Sequence, residues 1–320
     1  MQYFDFVTHR YQFFLISAVL LVPGILSLLF PGGLRPGIDF TSGSIMTFRF
    51  EQSVDEGTLR QAYADLGHAD AIIQRSDDGS YIVRTRSLEG DSTAALGQAE
   101  SGRQRIQDAL TQRFGAMTVS SYDQVSPIVA AEIVRNAMIA VIGACVGILL
   151  YLWWAFRHIK ESWRYGACAV FALVHDALLV LGVFSILGRF FAFELDALFI
   201  TAILTVIGFS VHDTIVVFDR IRENLVHFAG EPFESVVNHS LMQTMGRSVA
   251  TSITVLLTLL TLWLFGGVTI RHFVLALLIG IASGTYSSIF NASMLLAIWE
   301  NGELGRLFGR GRAQPALRRT

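Results

Sequence analysis

The sequence predicts a polytopic α-helical membrane protein, with six transmembrane helices and one small α+β domain outside the bilayer. Three observations predict it. The 320 residues are 52% hydrophobic and only 16% charged, with a mean hydropathy of +0.51, whereas soluble domains carry roughly 25% charged residues. The charge is concentrated: nearly half of the charged residues lie in positions 35–135, under a third of the chain. Outside that stretch, six apolar runs are long enough to cross a hydrocarbon core, which takes about 20 residues. Other classes drop out on the same arithmetic. A net charge of −2 gives no bulk attraction to nucleic acid. Cys145 and Cys168 both sit in apolar runs, so neither a disulfide framework nor a metal cluster is expected. Lys160 is the only lysine and no P-loop occurs, so no nucleotide site and no cofactor is expected.

Taken in order, residues 1–11 are an N-terminal segment and 12–34 the first span. Pro23 lies mid-helix and no convincing small-residue cleavage site precedes Arg35, so this run reads as a retained helix and not a signal peptide. Residues 35–131 form the polar domain. Within it, 44–51 alternates like a strand. Ser53 or Asp55 caps a helix to about Leu66, with Leu59, Ala62, Tyr63 and Leu66 at helical spacing. Residues 70–75 and 80–86 are strands joined by the turn signal Ser76-Asp77-Asp78-Gly79. Residues 97–114 are a second helix with Ile106, Leu110 and Phe114 along one face, and 117–122 a last strand. The order βαββαβ is that of a ferredoxin-like split βαβ unit, a plan that hosts many unrelated functions. With no His/Cys cluster and no phosphate loop, the domain reads as a lever or binding module.

Residues 132–299 are a five-helix membrane domain, with spans at 136–156, 165–188, 197–218, 248–270 and 273–299. The last two form a hairpin turning near Gly266, Gly267 and Arg271. Residues 300–320 are a basic tail. Arg157, Lys160 and Arg164 stand against Glu161 between the second and third spans, and the tail carries Arg306, Arg310, Arg312, Arg318 and Arg319. Six spans put both groups on one side, with the N-terminus and the polar loop 219–247. Positive charge marks that side as cytoplasmic, so the polar domain is outside.

A carboxylate at the bilayer centre costs about 2.5–3.5 kcal/mol on insertion scales, which makes it a functional candidate by default. Asp176 and Asp213 lie deep in the third and fourth spans. Proton or ion handling is one reading and a structural hydrogen-bond anchor the other; for Asp176 the two stand level. His175 and His212 each precede an aspartate, and neighbours on a helix point about 100° apart, so neither pair is expected to share a face. His175 then reads as a packed or hydrogen-bonding group and His212 as a candidate relay member. Ser210 and His212, two apart, project to nearly opposite sides and cannot act as nucleophile and base. Arg247, just before the fifth span, is placed to reach a carboxylate on an adjacent helix. Thr251, Thr254, Thr258 and Thr261 form a polar stripe that is expected to face the bundle or a wet path. The alternative is that these hydroxyls bond their own backbone.

The fourth span and its exit, residues 202–224, read AILTVIGFSVHDTIVVFDRIREN. This stretch resembles the signature of the SecF family, protein-export membrane subunits that work with SecD and belong to the RND superfamily. Residues 37–43, GIDFTSG, resemble the family's motif after the first span; Gln243, Thr244, Arg247, Thr251 and Ser252 resemble its run into the fifth; residues 284–290, GTYSSIF, resemble its sixth. The short domain is similar to that of SecF and unlike the larger one of SecD. His212 stands where the family usually has Asn, Phe209 where it often has Tyr, and Ser42 where it has Gly; Asn291 and Met294 also depart from the common ending. The resemblance implies an RND-like half of six helices and a partner half. It implies that Asp213 carries a proton, with Arg247 its basic neighbour; Asp176 and His212 stand beside them as the relay candidates read from the residues. Gly37, Asp39 and Gly43 are a landmark read as shaping the join of first span and domain. The implied activity is non-enzymatic: use of the proton motive force to assist preprotein translocation. The implied partners are SecD, SecYEG with SecA, the translocating preprotein and membrane lipid, at the bacterial cytoplasmic (inner) membrane. Two rivals are an RND-type small-molecule exporter, which normally has much larger outside domains, and an intramembrane protease, for which no G-x-G-D motif is present.

Overall fold

The structure, a computed structural model, describes residues 5–76, 79–85, 96–157, 161–191, 193–267 and 270–303. It divides into two compact units, one of them Pro36–Met138. In that unit a one-turn helix α1 (Ile38–Thr41) leads into β1 (Gly43–Phe50). There follow α2 (Glu56–Asp65), β2 (Ile72–Arg75), β3 (Tyr81–Thr85), α3 (Leu96–Phe114) and β4 (Met117–Val125). The sheet runs β2-β3-β1-β4, antiparallel throughout, with Met46 of β1 opposite Val83 on one side and Tyr122 on the other. This is the ferredoxin-like plan. Alternate strand residues Met46, Phe48, Phe50, Tyr81 and Val83 meet Leu59, Tyr63, Ile106 and Leu110 from the helices in one apolar core. Asp55 caps α2 by accepting the Thr58 N–H at 3.1 Å, worth about 1 kcal/mol. Leu66, grouped with the apolar face by its spacing, falls past the helix end and is exposed. Buried without a partner, the Tyr63 hydroxyl is pushed well above its ordinary pKa by desolvation.

The 37–43 motif forms the entry to β1. Ser42 holds φ +62° and Gly43 φ +135°, conformations that favour glycine. A Cβ on Gly43 would lie 2.6 Å from the Thr85 carbonyl oxygen, so the first residue of β1 must lack one. The Gly37 carbonyl accepts from the Phe40 and Thr41 N–H groups and from the Thr41 hydroxyl, with Asp39 in the first turn.

The other unit carries the membrane helices. Among the described residues six helices are long and apolar enough to span, Val7–Leu29, Pro127–Ala155, Trp163–Phe191, Ala197–His227, Phe233–Phe265 and Arg271–Glu300; the second begins in the smaller unit. The polar stretch expected as a loop at 219–247 is instead mostly helix, leaving 228–232 as the turn. Side chains across the hairpin explain it: Asn224 donates to the Ser240 hydroxyl and the Gln243 side-chain oxygen, both at 2.9 Å. The sixth span is interrupted by a π-helical turn, Ser287–Ala292.

Two apolar clusters fill the bundle. One gathers Phe156, Tyr165, Phe218, Ile221 and Leu241; the other gathers Val180, Phe184, Phe199, Ile203, Val206 and Ile281. The first span lies directly on the third. A Cβ on Gly24 would sit 2.7 Å from the Gly182 Cα, and the converse holds. Ser27 and Ser185 share a hydrogen bond of 2.8 Å beside that crossing, and the Arg189 guanidinium donates to the Phe30 carbonyl at 3.1 Å.

Candidate functional site

Between the two apolar clusters lies a polar node built on Asp176. Leu173 and Val180 on the third span belong to one cluster, while Ala169 and Ala172 belong to the other. The Asp176 side chain is fully buried. Its Oδ2 accepts from the Ser210 hydroxyl at 2.7 Å and the Ser287 hydroxyl at 2.6 Å. Its Oδ1 accepts from the Ser283 hydroxyl at 2.7 Å and lies 3.1 Å from His175 Nδ1. Hydrogen bonds to a charged group are worth about 1.5–3 kcal/mol each, enough together to offset the cost of sinking the carboxylate. The third, fourth and sixth spans therefore meet at one residue. The His175 contact corrects the expectation from helical spacing. The Cβ directions do diverge, but the imidazole is long enough to swing back over its neighbour's carboxylate when both are shut inside the bundle.

Asp213 is different. It is buried, yet among the described residues its Oδ2 has no hydrogen-bond partner. Eleven residues separate it from Asn224, three turns plus about 20°, so both lie on the same face of the fourth span. Asn224 on that face bonds to the fifth span and Val206, also on it, packs against Gly280 of the sixth, so Asp213 lies on the face of the fourth span turned towards the fifth and sixth. The Ser248 hydroxyl on the fifth span is also buried and unpartnered. Counting up the antiparallel hairpin, Asp213 is about 16 Å beyond Asn224 and Ser248 about 12 Å beyond Ser240, less than one helical turn apart in height.

The other sequence candidates fall elsewhere. His212 is exposed on the outer side of the fourth span. Arg247 is also exposed, and among the described residues no ion pair joins it to Asp213. The stripe Thr251, Thr254, Thr258 and Thr261 corrects the expectation of a bundle-facing path: all four are exposed, and each hydroxyl bonds a backbone carbonyl of its own helix at 2.7–3.0 Å. The buried hydroxyls of that helix are Ser240, Thr244, Ser248 and Ser252, with Ser252 bonded to Thr285 at 2.6 Å. Gly37, Asp39 and Gly43 belong to the other unit, where the Gly37 carbonyl accepts from the one-turn helix that contains Asp39 and Gly43 opens β1. Among the described residues no cluster of His, Cys, Asp and Glu suited to a metal ion occurs.

Sequence reasoning missed the serines. Ser283 and Ser287, one turn apart in an apolar helix, and Ser240, Thr244, Ser248 and Ser252 at every fourth position, carried a signal of their own. A hydroxyl in an apolar span is easily discounted because it can bond its own backbone.

Comparison with known proteins places this arrangement. A family model described as protein export membrane protein SecD/SecF, C-terminal, matches residues 105–302, and the SecD/SecF GG motif matches residues 28–54. The protein translocase subunit SecF of Thermobaculum terrenum is 48% identical over 98% of this chain and 99% of its own length. That of Anaerolinea thermophila is 40% identical over 96% and 97%. The crystal structure of SecDF, a translocon-associated membrane protein from Thermus thermophilus, superposes with a TM-score of 0.75 at 34% identity. It matches 93% of this chain, which spans only 39% of that longer one.

Proposed function

The chain belongs to the SecF family of protein translocase subunits, and from that membership we propose that it uses the proton motive force to assist preprotein translocation across the bacterial cytoplasmic membrane. It is a multi-pass membrane protein with a small sheet domain. It works with a SecD partner beside SecYEG and SecA, and it has no catalytic centre of its own. The solved SecDF chain supports the partnership, since this chain accounts for only 39% of its length.

The observation that carries the proton reading is Asp213, whose buried Oδ2 is satisfied by no group among the described residues. A structural carboxylate in a membrane interior is surrounded by donors, as Asp176 is. One left without them, with the Ser248 hydroxyl of the fifth span also unpartnered at a similar height, is arranged to exchange a proton with water. The test is preprotein export across membranes containing or depleted of this subunit, with and without a proton gradient. The gradient-stimulated part of export should fall on depletion and return on re-expression. Equal stimulation in both membranes overturns the proposal.

The orientation follows from arginine placement. A reporter active only outside the cytoplasm should work when inserted near Asp78 and fail when fused after Arg312; the reverse pattern inverts the topology.

A further inference from the structure

The π turn of the sixth span is held from two sides, and the two sides are different parts of the bundle. On one side, Ser287 donates to Asp176 at 2.6 Å. Beside it, Ser288 donates to the Ser210 carbonyl at 3.0 Å and accepts from the Thr214 hydroxyl at 2.8 Å. On the other side, the turn touches the first span. The Asn291 amide nitrogen lies 2.8 Å from the Ser17 hydroxyl, deep in the bundle. Phe290 stacks on Phe13 with ring centroids 4.3 Å apart, and the Tyr286 hydroxyl donates to the Phe13 carbonyl at 2.8 Å. A π turn holds one more residue than an α turn and is the less favoured form, so it persists where side chains hold it. Relaxing it to α would rotate everything beyond it by roughly 100°. Asn291 would then leave Ser17.

We propose that Asp176 is a positioning residue, whose carboxylate fixes the sixth span in the π register that presents Phe290 and Asn291 to the first span. This goes beyond the proton reading of Asp213 and does not depend on it. The first span is continuous in sequence with the Pro36–Met138 unit, so a change of register at the π turn reaches a helix that leads into the outside domain. Its far half cannot follow independently, because the Gly24–Gly182 crossing and the Ser27–Ser185 bond tie it to the third span. The third span is also the helix that carries Asp176. Asp176 thus governs one end of a helix whose other end its own helix already holds.

The test reads distance and not export. In a background with Cys145→Ala and Cys168→Ala, and a protease site inserted between the second and third spans, two cysteine pairs are compared in native membranes. The reporting pair is Ser17→Cys with Asn291→Cys, bridged by a short bis-thiosulfonate reagent. The control pair is Ser27→Cys with Ser185→Cys. Each bridge keeps the two protease fragments joined on a gel. Adding Asp176→Ala should cut the 17–291 yield at least fivefold and leave the 27–185 yield unchanged; Asp176→Asn, which keeps one acceptor oxygen, should fall between. An undiminished 17–291 yield overturns the proposal. Should Asp176→Ala lower both yields, Ser283→Ala with Ser287→Ala, which leaves the carboxylate in place, must lower the 17–291 yield selectively, and an equal fall or none in the two pairs counts against it. Export by Asp213→Asn is scored separately, so failure of the proton reading does not move these yields.

Discussion

Asp213→Asn is expected to reach the membrane and fold as the parent does, yet to lose gradient-stimulated export, at least tenfold. The two halves of that expectation have different causes. Insertion should not suffer, because a neutral amide is cheaper to bury than a carboxylate. Nor does the change break an ion pair, since among the described residues none involves Asp213. Function should suffer because an amide cannot release a proton at any pH the cell meets. Asp176→Asn should behave in the opposite sense. Three serine hydroxyls donate to that carboxylate, and an amide offers only one acceptor oxygen, so the bundle loosens. The measurement is export with and without a gradient at matched membrane abundance, alongside thermal stability in detergent. Wild-type stimulation in Asp213→Asn would end its assignment as proton carrier.

Gly182→Leu is expected to be the most damaging single change to the membrane unit. The side chain would begin 2.7 Å from the Gly24 Cα, and the obstacle is backbone of another span, which cannot rotate aside. Overpacking of a rigid contact typically costs about 1–3 kcal/mol, and forcing the first span off the third also breaks the Ser27–Ser185 bond beside it. A fall in melting temperature and in steady-state abundance should follow, with Gly182→Ala intermediate. Gly147→Leu, on the second span where a Cβ meets nothing within 4 Å, is the matched control and should be neutral. If both leucine variants melt together, close glycine packing is not what joins the two spans.

Six spans and a βαββαβ domain were legible in the sequence because each rests on periodicity and composition, which local chemistry sets. The buried aspartates were legible for a related reason, since a charge in an apolar run is conspicuous. What each aspartate touches was not. Asp176 owes its partners to Ser210, Ser283 and Ser287, brought in from two other helices, and no spacing rule joins residues 34 to 111 positions apart. The threonine stripe misled because helical spacing shows that residues share a face without showing which way that face points. The helical extension through 219–247 was hidden by its polarity, a property that loops and exposed helix ends share.

The first span also says something about how this protein is made. Its apolar residues leave the ribosome before those of the other five spans, yet almost every partner it needs comes later. Arg10 pairs with Glu234 at 3.1 Å and with Glu303 at 2.7 Å, and Ser17 waits for Asn291. Translation adds about 5–20 residues per second, so the helix spends many seconds in the lipid with its polar groups unmatched. Pairings so distant along the chain are also the slow ones to form. The sixth span, made after the other five, is therefore one that seats the first, and a chain truncated before residue 271 would hold its first span only through the third span and the Glu234 and Asn238 contacts of the fifth span.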